Sequence, residues 1–337
     1  MSVTIKDVAR EAGTSIGTVS KALNDSYTIS EETKQHVRQV AQRLKYRPNV
    51  RAQTLARKAG HQAVFLTSLP RDIGFQNPHM FEILAGAEKA LAAKEYTLSL
   101  QGCSPKNICE AVRDIIQRKS TDGVLLHASV VTWELAAMII REELPHIVIG
   151  MPNFSSRLCW IDNNNRLSGE IAAHYLVETG HKNIAFIGGL DDDKISQARL
   201  EGVLSELKNA GLQDADIPIQ KGLSTAEEGA DMTLNILREK PVGAIICANN
   251  YLAFGCLNAL RDKQLAVPED ISLITFDSYP FANIVQPKLT TVSIDVYEMG
   301  VQAGKLLINK IRKPNMHVQS FTTLPDLIIR GSTRKID

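Results

Sequence analysis

Polar side chains suited to directional hydrogen bonding follow several apolar runs in the second half of the sequence. Asn249 comes directly after "AIICA", and Asp277 comes directly after "SLITF". Arg199 lies a short distance beyond a third apolar run, "NIAFIGG". Amide, carboxylate and guanidinium groups together supply donors and acceptors for several hydroxyl groups at once. These residue types therefore predict a site for a small hydroxylated ligand.

Aromatic and amide side chains near other apolar runs could complete such a site. Aromatic faces can stack on a sugar ring, and the candidates are Phe75, Phe81, Trp160 and Tyr251. Asn77 in "GFQNP" and Asn163 in "IDNNN" add amide groups. For any one of these residues, the alternative is a capping or surface role without ligand contact.

A second concentration of chemistry lies in the first 60 residues. They carry eleven Lys and Arg against five Asp and Glu, a formal charge of +6. The remainder of the chain carries 27 basic and 32 acidic residues, a formal charge of −5. A basic segment on an acidic body indicates that this segment meets a polyanion such as nucleic acid. The alternative is a solvated basic face.

The stretch "TIKDVAREAGTSIGTVSKALN" predicts two short helices joined by a tight turn. Thr4 and Asp7 match a capping box, Gly13 favours a left-handed helix end, and Ser15 can cap the second helix. Two such helices fit a helix-turn-helix, whose second helix enters the major groove of DNA. The residues predicted to face the bases are Ile16, Gly17 and Lys21. A small helical bundle that binds nothing is the alternative.

Residues 48–60 form a basic stretch in which Leu55 is the large apolar residue available for contact. Pro48 breaks the preceding helix, and a helix over residues 50–58 is marginal alone in water. Such a segment can fold on docking to DNA, with Leu55 as a wedge in the minor groove. A flexible linker is the alternative.

From residue 61 onward, apolar runs alternate with segments of helical periodicity, and the alternation restarts near residue 183. Continuously apolar runs suit parallel strands that are covered by helices on both faces. The two series therefore predict two doubly wound subdomains. Ligands in such folds collect at the carboxyl ends of strands and in clefts between subdomains, where the polar residues above would meet.

Composition and motifs disfavour several other classes of protein. No apolar run approaches the roughly 18 residues of a membrane span, and a signal-peptide pattern is absent, so we expect a cytoplasmic protein without membrane contact. The five cysteines show no metal-ligand spacing, which predicts buried thiols and no bound metal. Because nucleotide-binding and hydrolase motifs are missing from the required contexts, we predict no cofactor and no enzymatic activity. We expect His127, His146 and His181 to pack or cap.

A set of longer motifs runs through the chain: "TIKDVAREAGTSIGTVSKALN", "RAQTLARKAG", "ETGHKNIAFIGG", "ANNYLAFGCLNALRD" and "VPEDISLITFD". In type and order they resemble the LacI/GalR family of transcription regulators. The resemblance implies an all-α helix-turn-helix head plus a hinge helix, followed by an α/β periplasmic-binding-protein-like body of two doubly wound subdomains. It implies a homodimeric repressor whose affinity for operator DNA is controlled by a small-molecule effector, usually a sugar or nucleoside.

The resemblance also implies domain borders. The DNA-binding domain is expected at residues 1–47, the hinge at 48–60, and the effector-binding and dimerisation domain at 61–337. Within the last domain, the N-subdomain is expected at residues 61–161 and 292–321. The C-subdomain is expected at residues 162–291 and 322–337.

Site residues follow from the resemblance together with the residue types. The expected DNA contacts are Thr4, Ser15, Ile16, Gly17, Thr18, Ser20, Lys21, Asn24, Arg51 and Leu55. The expected effector contacts are Phe75, Asn77, Phe81, Trp160, Asn163, Arg199, Asn249, Tyr251 and Asp277. Lys21 stands where most members of the family have arginine. Because lysine lacks the rigid planar fork, we expect looser base discrimination.

The sequence departs from the family pattern at the positions of an aromatic pair and an acid. "NPHM" at residues 77–80 lacks the two aromatics of the family's "NPFF", which leaves Phe75 or Phe81 as the ring-stacking partner. Asn250 replaces the usual acid and is expected to change one local hydrogen bond. The family's "DN" corresponds either to Asp162-Asn163 or to Asn164-Asn165.

Two further expectations concern the partners of the chain. "LPRDIGFQNP" resembles the maltose-regulator subgroup, so α-glucosides are the first effectors expected. A phosphocarrier protein, which one branch of the family uses as a partner, is left open. The alternative to the whole interpretation is a cytoplasmic sugar-binding protein without DNA regulation.

Overall fold

The computed structural model describes residues 4–23, 29–44, 46, 61–70, 79–212, 217–278, 282–314 and 320–336. The chain forms two compact units that divide between His61 and Gln62. We call the first unit the head and the second unit the body.

Three helices make up the described part of the head: α1 (Ile5–Glu11), α2 (Ile16–Leu23) and α3 (Glu31–Arg43). The Asp7 carboxylate accepts hydrogen bonds from the amide (3.0 Å) and the hydroxyl (2.7 Å) of Thr4, which fixes the start of α1. Gly13 has a φ of 61°, the left-handed conformation that ends a helix. Ser15 Oγ then accepts from the Thr18 amide at 3.0 Å and caps α2.

A small apolar core joins the three helices of the head. Val8 of α1, Val19 and Ala22 of α2, and Val37 of α3 are fully buried in it. The Glu11 carboxylate lies 2.7 Å from the Arg43 guanidinium and links α1 to α3. Because Val19 and Ala22 hold one face of α2 in the core, the opposite face of this helix is left to solvent.

The first sheet of the body is entirely parallel, with strand order β11-β5-β4-β3-β1-β2. Its strands are β1 (Gln62–Thr67), β2 (Thr97–Gly102), β3 (Gly123–His127), β4 (His146–Ile149), β5 (Trp160–Asn163) and β11 (Ser320–Thr323). One face packs against α4 (His79–Ala92) and α11 (Val296–Arg312). The other face packs against α5 (Ile108–Arg118) and α6 (Trp133–Arg141).

The second sheet has strand order β12-β10-β9-β8-β6-β7, and β12 is its antiparallel strand. Its strands are β6 (Ile184–Gly189), β7 (Ile219–Gly222), β8 (Ala244–Cys247), β9 (Ser272–Phe276), β10 (Thr290–Ser293) and β12 (Asp326–Ile328). The helices packed on it are α7 (Asn165–Glu178), α8 (Lys194–Asn209), α9 (Ala226–Glu239) and α10 (Asn250–Asp262).

The chain passes between the two sheets of the body three times. It leaves the first sheet after β5, returns after β10, and leaves again after β11. We call the two layered halves the first and the second subdomain. They are the two doubly wound subdomains predicted from the alternation of strands and helices. The predicted hinge helix at residues 48–60 lies outside the described residues.

Helices α7 and α8 cross at a close distance because each contributes a glycine to the contact. A Cβ built on Gly169 would overlap the carbonyl oxygen of Arg199, and one built on Gly202 would overlap that of Arg166. The contact therefore fixes the backbone from which the Arg199 side chain projects.

Among the helices of the described ranges, none is long and apolar enough to cross a membrane.

Candidate functional sites

The solvent-facing side of α2 forms the first candidate site. Ile16, Gly17 and Lys21 are exposed, and 46% of the Ile16 surface is accessible. A Cβ on Gly17 would meet only Ser15 Oγ, at 3.7 Å, so no contact within the described head requires glycine there. This bare helix face has a shape that a major groove can admit.

Hydroxyl side chains lie at the start of α1, at the start of α2 and within α2. Thr4 and Ser15 are exposed, and Thr18 and Ser20 are half-buried. Ser15 and Thr18 share a hydroxyl–hydroxyl hydrogen bond of 2.9 Å, which orients both oxygens at the start of the helix. Hydroxyls and helix N-termini are common donors to phosphate oxygens in protein–DNA complexes.

A cavity of about 720 Å³ between the two subdomains forms the second candidate site. It lies at the carboxyl ends of strands from both sheets. Its lining includes His127 and Ile149 of the first sheet, Ala248 beyond β8, and Asp277 beyond β9. Its volume falls within the range of about 300–1,000 Å³ that is typical of small-molecule sites.

Several helices of the second subdomain begin at this cavity, and a side chain caps each of them. Asn164, Asp193, Thr225 and Asn249 accept hydrogen bonds from the first turns of α7, α8, α9 and α10, at 3.0, 3.0, 3.2 and 3.0 Å. Asn249 also donates from Nδ2 to Ser224 Oγ at 2.9 Å, which joins two adjacent loops of the lining. Helix N-termini carry partial positive charge, so the cavity wall favours ligand oxygens.

Arg199 is the buried cation of the cavity, with 3% of its surface exposed. Its guanidinium donates to the Ala248 carbonyl at 2.6 Å and to Asn165 Oδ1 at 3.2 Å. It lies 3.5 Å from Asp277 Oδ1 and packs on the Phe276 ring, 4.4 Å from the ring centroid. The guanidinium plane is therefore held on several sides, and its charge is balanced by the Asp277 carboxylate.

Asp277 is held in a strained backbone conformation. Its φ is 69°, a left-handed value that few non-glycine residues adopt. Its amide donates to the Val292 carbonyl at 3.0 Å, and its own carbonyl accepts from Asn250 Nδ2 at 2.9 Å. These two bonds fix the peptide on either side of the strain, so the carboxylate points from a rigid position. Across the cavity, His79 Nε2 of α4 lies 3.7 Å from Asp277 Oδ2.

The first subdomain contributes its own polar groups to the cavity. The Asp162 carboxylate accepts from the amides of Met151 (2.9 Å) and Asn163 (2.7 Å), and burial raises the pKa of this carboxyl. His127 Nδ1 accepts from the Ser129 amide at 3.3 Å, and burial lowers the pKa of His127. Its ring is therefore neutral at pH 7, with the proton on Nε2. The Thr323 hydroxyl donates to Asn163 Oδ1.

The charges of the described lining are mostly acidic. The described lining includes the acidic residues Asp162, Asp193, Glu227 and Asp277 and the single guanidinium of Arg199. No cluster of His, Cys, Asp and Glu in the described part of the chain has a metal-binding arrangement. The arrangement favours a ligand that is rich in hydroxyl groups over an anionic one.

Comparison with known proteins establishes the family. The profile "Bacterial regulatory proteins, lacI family" matches residues 4–49, and the profile "Periplasmic binding protein-like domain" matches residues 173–333. The HTH-type transcriptional repressor PurR of Histophilus somni (strain 2336) is 30% identical over 343 residues, with 99% of each chain covered. The chain belongs to the lacI family of bacterial regulatory proteins.

Further regulators match nearly the whole length of the chain. The "Probable HTH-type transcriptional repressor ExuR" of Bacillus subtilis (strain 168) is 31% identical over 343 residues, with 99% of both chains covered. The solved complex of the transcriptional regulator CelR with cellobiose matches 98% of this chain and 99% of its own, with a TM-score of 0.71 and 26% identity. A lac repressor dimer bound to operator and the anti-inducer ONPF has a TM-score of 0.79 at 22% identity, over 99% and 100% of the chains.

Membership of the lacI family confirms the predicted fold class and the predicted function as a DNA-binding transcriptional regulator, which is not an enzyme. The alternative of a sugar-binding protein without DNA regulation is set aside, because the head itself matches the regulatory family.

The structure brings five of the predicted effector residues of this lacI-family chain to the cavity. They are Asn163, Arg199, Asn249, Tyr251 and Asp277. Asp162-Asn163 lies in β5 with both residues at the cavity, whereas Asn164 caps α7 and Asn165 lies at the cavity beside Arg199. Their contact with an effector stays a prediction.

Trp160 and Phe81 are not among the described residues that line the cavity, which corrects their proposed place in it. Trp160 packs against the apolar core between the first sheet and helices α5 and α6. Phe81 is 55% exposed, because α4 turns Met80 and Ile83 inward instead. Asn24, Arg51, Leu55, Phe75 and Asn77 lie outside the described residues.

Sequence reasoning missed several residues of the lining. His79 and His127 both line the cavity. From the sequence, His79 was only a replacement for an aromatic residue of the family pattern, and His127 was expected to pack or cap. His127 does cap the short 3₁₀ helix Ala128–Val130, and it also borders the cavity. Asn250 was expected to change one hydrogen bond, and it supplies the donor to the Asp277 carbonyl. His127 ends β3 and Asn250 begins the helix that follows β8, so a position near a strand end was the available signal for these two residues. His79 begins α4, well after β1 ends, and gave no such signal.

Proposed function

We propose that this lacI-family regulator is a homodimeric repressor whose operator affinity is set by a neutral saccharide bound between the two subdomains of the body. The observation that carries the proposal is the fixed pair of Arg199 and Asp277 at the cavity, within a lining that is otherwise acidic or uncharged. The proposal places the protein in the cytoplasm, where a regulator can reach operator DNA. Two identical heads on a dimer suit a pseudo-palindromic operator.

On the DNA side, the proposal assigns base reading to Ile16, Gly17 and Lys21. Thr4, Ser15, Thr18 and Ser20 would bind phosphates, because their hydroxyls lie at the start of α1, at the start of α2 or within α2. Asn24, Arg51 and Leu55 complete the proposed DNA contacts. Lys21 presents a single rotatable ammonium, so it would discriminate between bases less strictly than an arginine.

On the effector side, the proposal commits to neutral polyhydroxyl ligands. The carboxylates of the lining would repel a sugar acid or a sugar phosphate, whereas they accept hydrogen bonds from hydroxyl groups. Arg199, Asn249 and Asn163 would supply donors from fixed positions. The CelR complex with cellobiose, a related regulator at 26% identity, supports a neutral disaccharide as the ligand class. α-Glucosides are the first ligands to test.

Ligand class is tested by thermal shift and calorimetry on the full chain. The panel contains glucose, maltose and cellobiose, with glucuronate and glucose 6-phosphate as charged matches. We expect a neutral saccharide to raise the melting temperature, and Arg199→Lys to lose most of this response because lysine cannot replace the planar fork. Binding confined to the charged ligands would contradict the proposal.

DNA reading is tested by selecting operators from a random library with the full chain. Lys21→Ala should weaken the selected operator relative to non-specific DNA, because a base contact is worth roughly 1–3 kcal/mol of discrimination. Arg10→Ala is the matched control, since Arg10 is an exposed basic residue of α1 that pairs with Asp7 at 2.8 Å. Equal loss of specificity in both variants would contradict the assignment of α2 as the reader.

A further inference from the structure

A stacked aromatic pair lies on the surface of the first subdomain. The Trp133 and Phe154 rings are 4.3 Å apart between centroids, with planes 20° apart. Trp133 nevertheless leaves 63% of its surface exposed, while Phe154 packs partly into the core beneath. Phe154 covers one face of the indole and leaves the remainder of the ring to solvent. A large, rigid aromatic surface of this kind is suited to a ring-shaped ligand with an apolar face.

The pair belongs to the same edge of the first sheet as the cavity. Trp133 follows β3, whose last residue is His127, and Phe154 follows β4, which leads into Gly150. His127 and Gly150 both line the cavity. The segments that carry the two aromatic rings therefore each follow a residue of the cavity wall.

Both rings are held in place by local contacts. Thr132 Oγ1 accepts from the Leu135 amide at 3.2 Å and caps α6, so Trp133 occupies the first position of a fixed helix. The loop of Phe154 is tied to the cavity by the Met151 amide, which donates to Asp162 Oδ2 at 2.9 Å. A platform that is already ordered loses little conformational entropy when a ligand stacks on it.

Exposed apolar residues also occur in the second subdomain. Ile195 lines the cavity and is exposed, and Leu190 and Leu223 are exposed directly after β6 and β7. The cavity lining thus includes one of these exposed apolar side chains, and the other two follow strands of the second sheet. Pyranose rings present hydroxyl groups at their edges and C–H groups on their faces. An oligosaccharide can therefore contact polar and apolar side chains together.

We propose that Trp133 and Phe154 form an outer subsite that binds a second or later sugar ring of an oligosaccharide whose first ring occupies the cavity. The inference rests on the proposed function, because it requires a neutral saccharide in the cavity. It makes the length of the saccharide a determinant of effector choice, because a monosaccharide in the cavity would not reach the Trp133–Phe154 pair.

The test is calorimetry on the full chain with two series of increasing length: glucose, maltose and maltotriose, and glucose, cellobiose and cellotriose. In the wild type, affinity should rise with length in one series. In Trp133→Ala, the affinity for the longer saccharides should fall by about 3–10-fold, in keeping with the size of aromatic stacking contributions. The affinity for glucose should be unchanged. Trp133→Tyr should restore most of the affinity for the longer saccharides. Phe321→Ala, which truncates another exposed aromatic of the body, is the matched control and should keep the full gain.

A spectroscopic measurement complements the affinities. The chain has two tryptophans, so Trp160→Phe leaves Trp133 as the sole indole emitter. The longer saccharide should shift its emission, whereas glucose should not. An unchanged length dependence in Trp133→Ala would overturn the outer subsite while leaving the proposed function intact, and so would a change of oligomeric state in that variant at unchanged affinity. Failure of every saccharide in both series to bind would overturn the proposed function and the subsite together.

Discussion

In the head, the residues proposed to read DNA project from a helix face that has few contacts, whereas in the body the proposed effector residues are tied into a buried network. Ile16 and Lys21 are exposed on α2. Arg199 and Asp277, in contrast, are buried and each contacts several neighbours. A groove-reading surface finds its partner charges on the DNA, while a cavity for a small neutral ligand must balance its charges internally.

The contrast predicts that substitutions at the two sites have different consequences. In the head, removal of a reading side chain should affect DNA binding and leave stability nearly unchanged. In the body, removal of a cavity side chain should lower stability as well as ligand affinity, because its partners would be left buried and unpaired. Both tryptophans lie in the body, so tryptophan fluorescence reports unfolding of that unit separately.

The largest effect should come from Arg199→Ala. The variant leaves the Asp277 carboxylate and the Ala248 carbonyl without their buried cationic partner. We expect the free energy of unfolding of the body to fall by roughly 3–5 kcal/mol, measured by urea titration with tryptophan fluorescence. Lys21→Ala, the counterpart in the head, should change stability by less than about 0.5 kcal/mol. Similar losses in the two variants would remove the contrast.

A pH titration should give the next largest effect. His146 is buried in β4, where Nδ1–H donates to the Leu144 carbonyl at 2.7 Å and Nε2 accepts from the Cys159 amide at 3.0 Å. Burial lowers the pKa of His146 from 6.5 to about 4, so between these values the unfolded chain binds the additional proton. The contribution of neutral His146 to the stability of the body should be fully present above pH 6.5. The free energy of unfolding should fall by roughly 3 kcal/mol as the pH drops to 4.

The control for this titration is His146→Asn, compared by the slope of stability against pH. The variant should have a shallower slope between pH 6.5 and 4, whatever its stability at pH 7. An identical slope would show that other groups account for the acid sensitivity of the body.

An intermediate effect is expected for Asn250→Asp, which restores the usual acid of the family. The carboxylate cannot donate to the Asp277 carbonyl, and it adds a negative charge beside an acidic cavity. We expect a loss of about 1–3 kcal/mol in body stability, together with weaker saccharide binding in calorimetry. Asn258→Asp makes the same change further along α10 and should be close to neutral. If Asn250→Asp were equally neutral, Asn250 would not be what holds the Asp277 peptide.

A small gain in stability is expected for Gly17→Ala, in which stability and DNA binding should move in opposite directions. Alanine has the higher helix propensity, and its Cβ would meet only Ser15 Oγ at 3.7 Å. Protection of α2 amides in hydrogen exchange should therefore rise by up to about 1 kcal/mol. Operator affinity should fall, because the added methyl would lie between the helix and the bases. Unchanged operator affinity would place Gly17 outside the DNA contact.

The sequence was most informative where a local pattern determines a local structure. The Thr4–Asp7 capping box, the left-handed Gly13 and the Ser15 cap follow from rules that span one helical turn, and they were predicted correctly. Arg199, Asn249 and Asp277 were placed at one cavity because the carboxyl ends of parallel strands share an edge.

Other features depend on side-chain direction, which spacing along the chain does not specify. Trp160 and Phe81 stand close in sequence to cavity residues, but the strand pleat and the helix rotation direct them elsewhere. The contact of His79 with Asp277 joins elements of different subdomains, so no local pattern predicts its distance. The glycine contact between Gly169 and the Arg199 carbonyl depends in the same way on how two helices cross.

The central claim is that a neutral saccharide in the body controls how the head binds DNA. The most direct measurement is fluorescence anisotropy of a selected operator at fixed salt, with and without the saccharide that stabilises the full chain. The account predicts a change in operator affinity of about 5–150-fold in the wild type, the usual range of allosteric coupling, and little change in Arg199→Lys. An operator affinity that is indifferent to every stabilising saccharide, or a full response in Arg199→Lys, would contradict it.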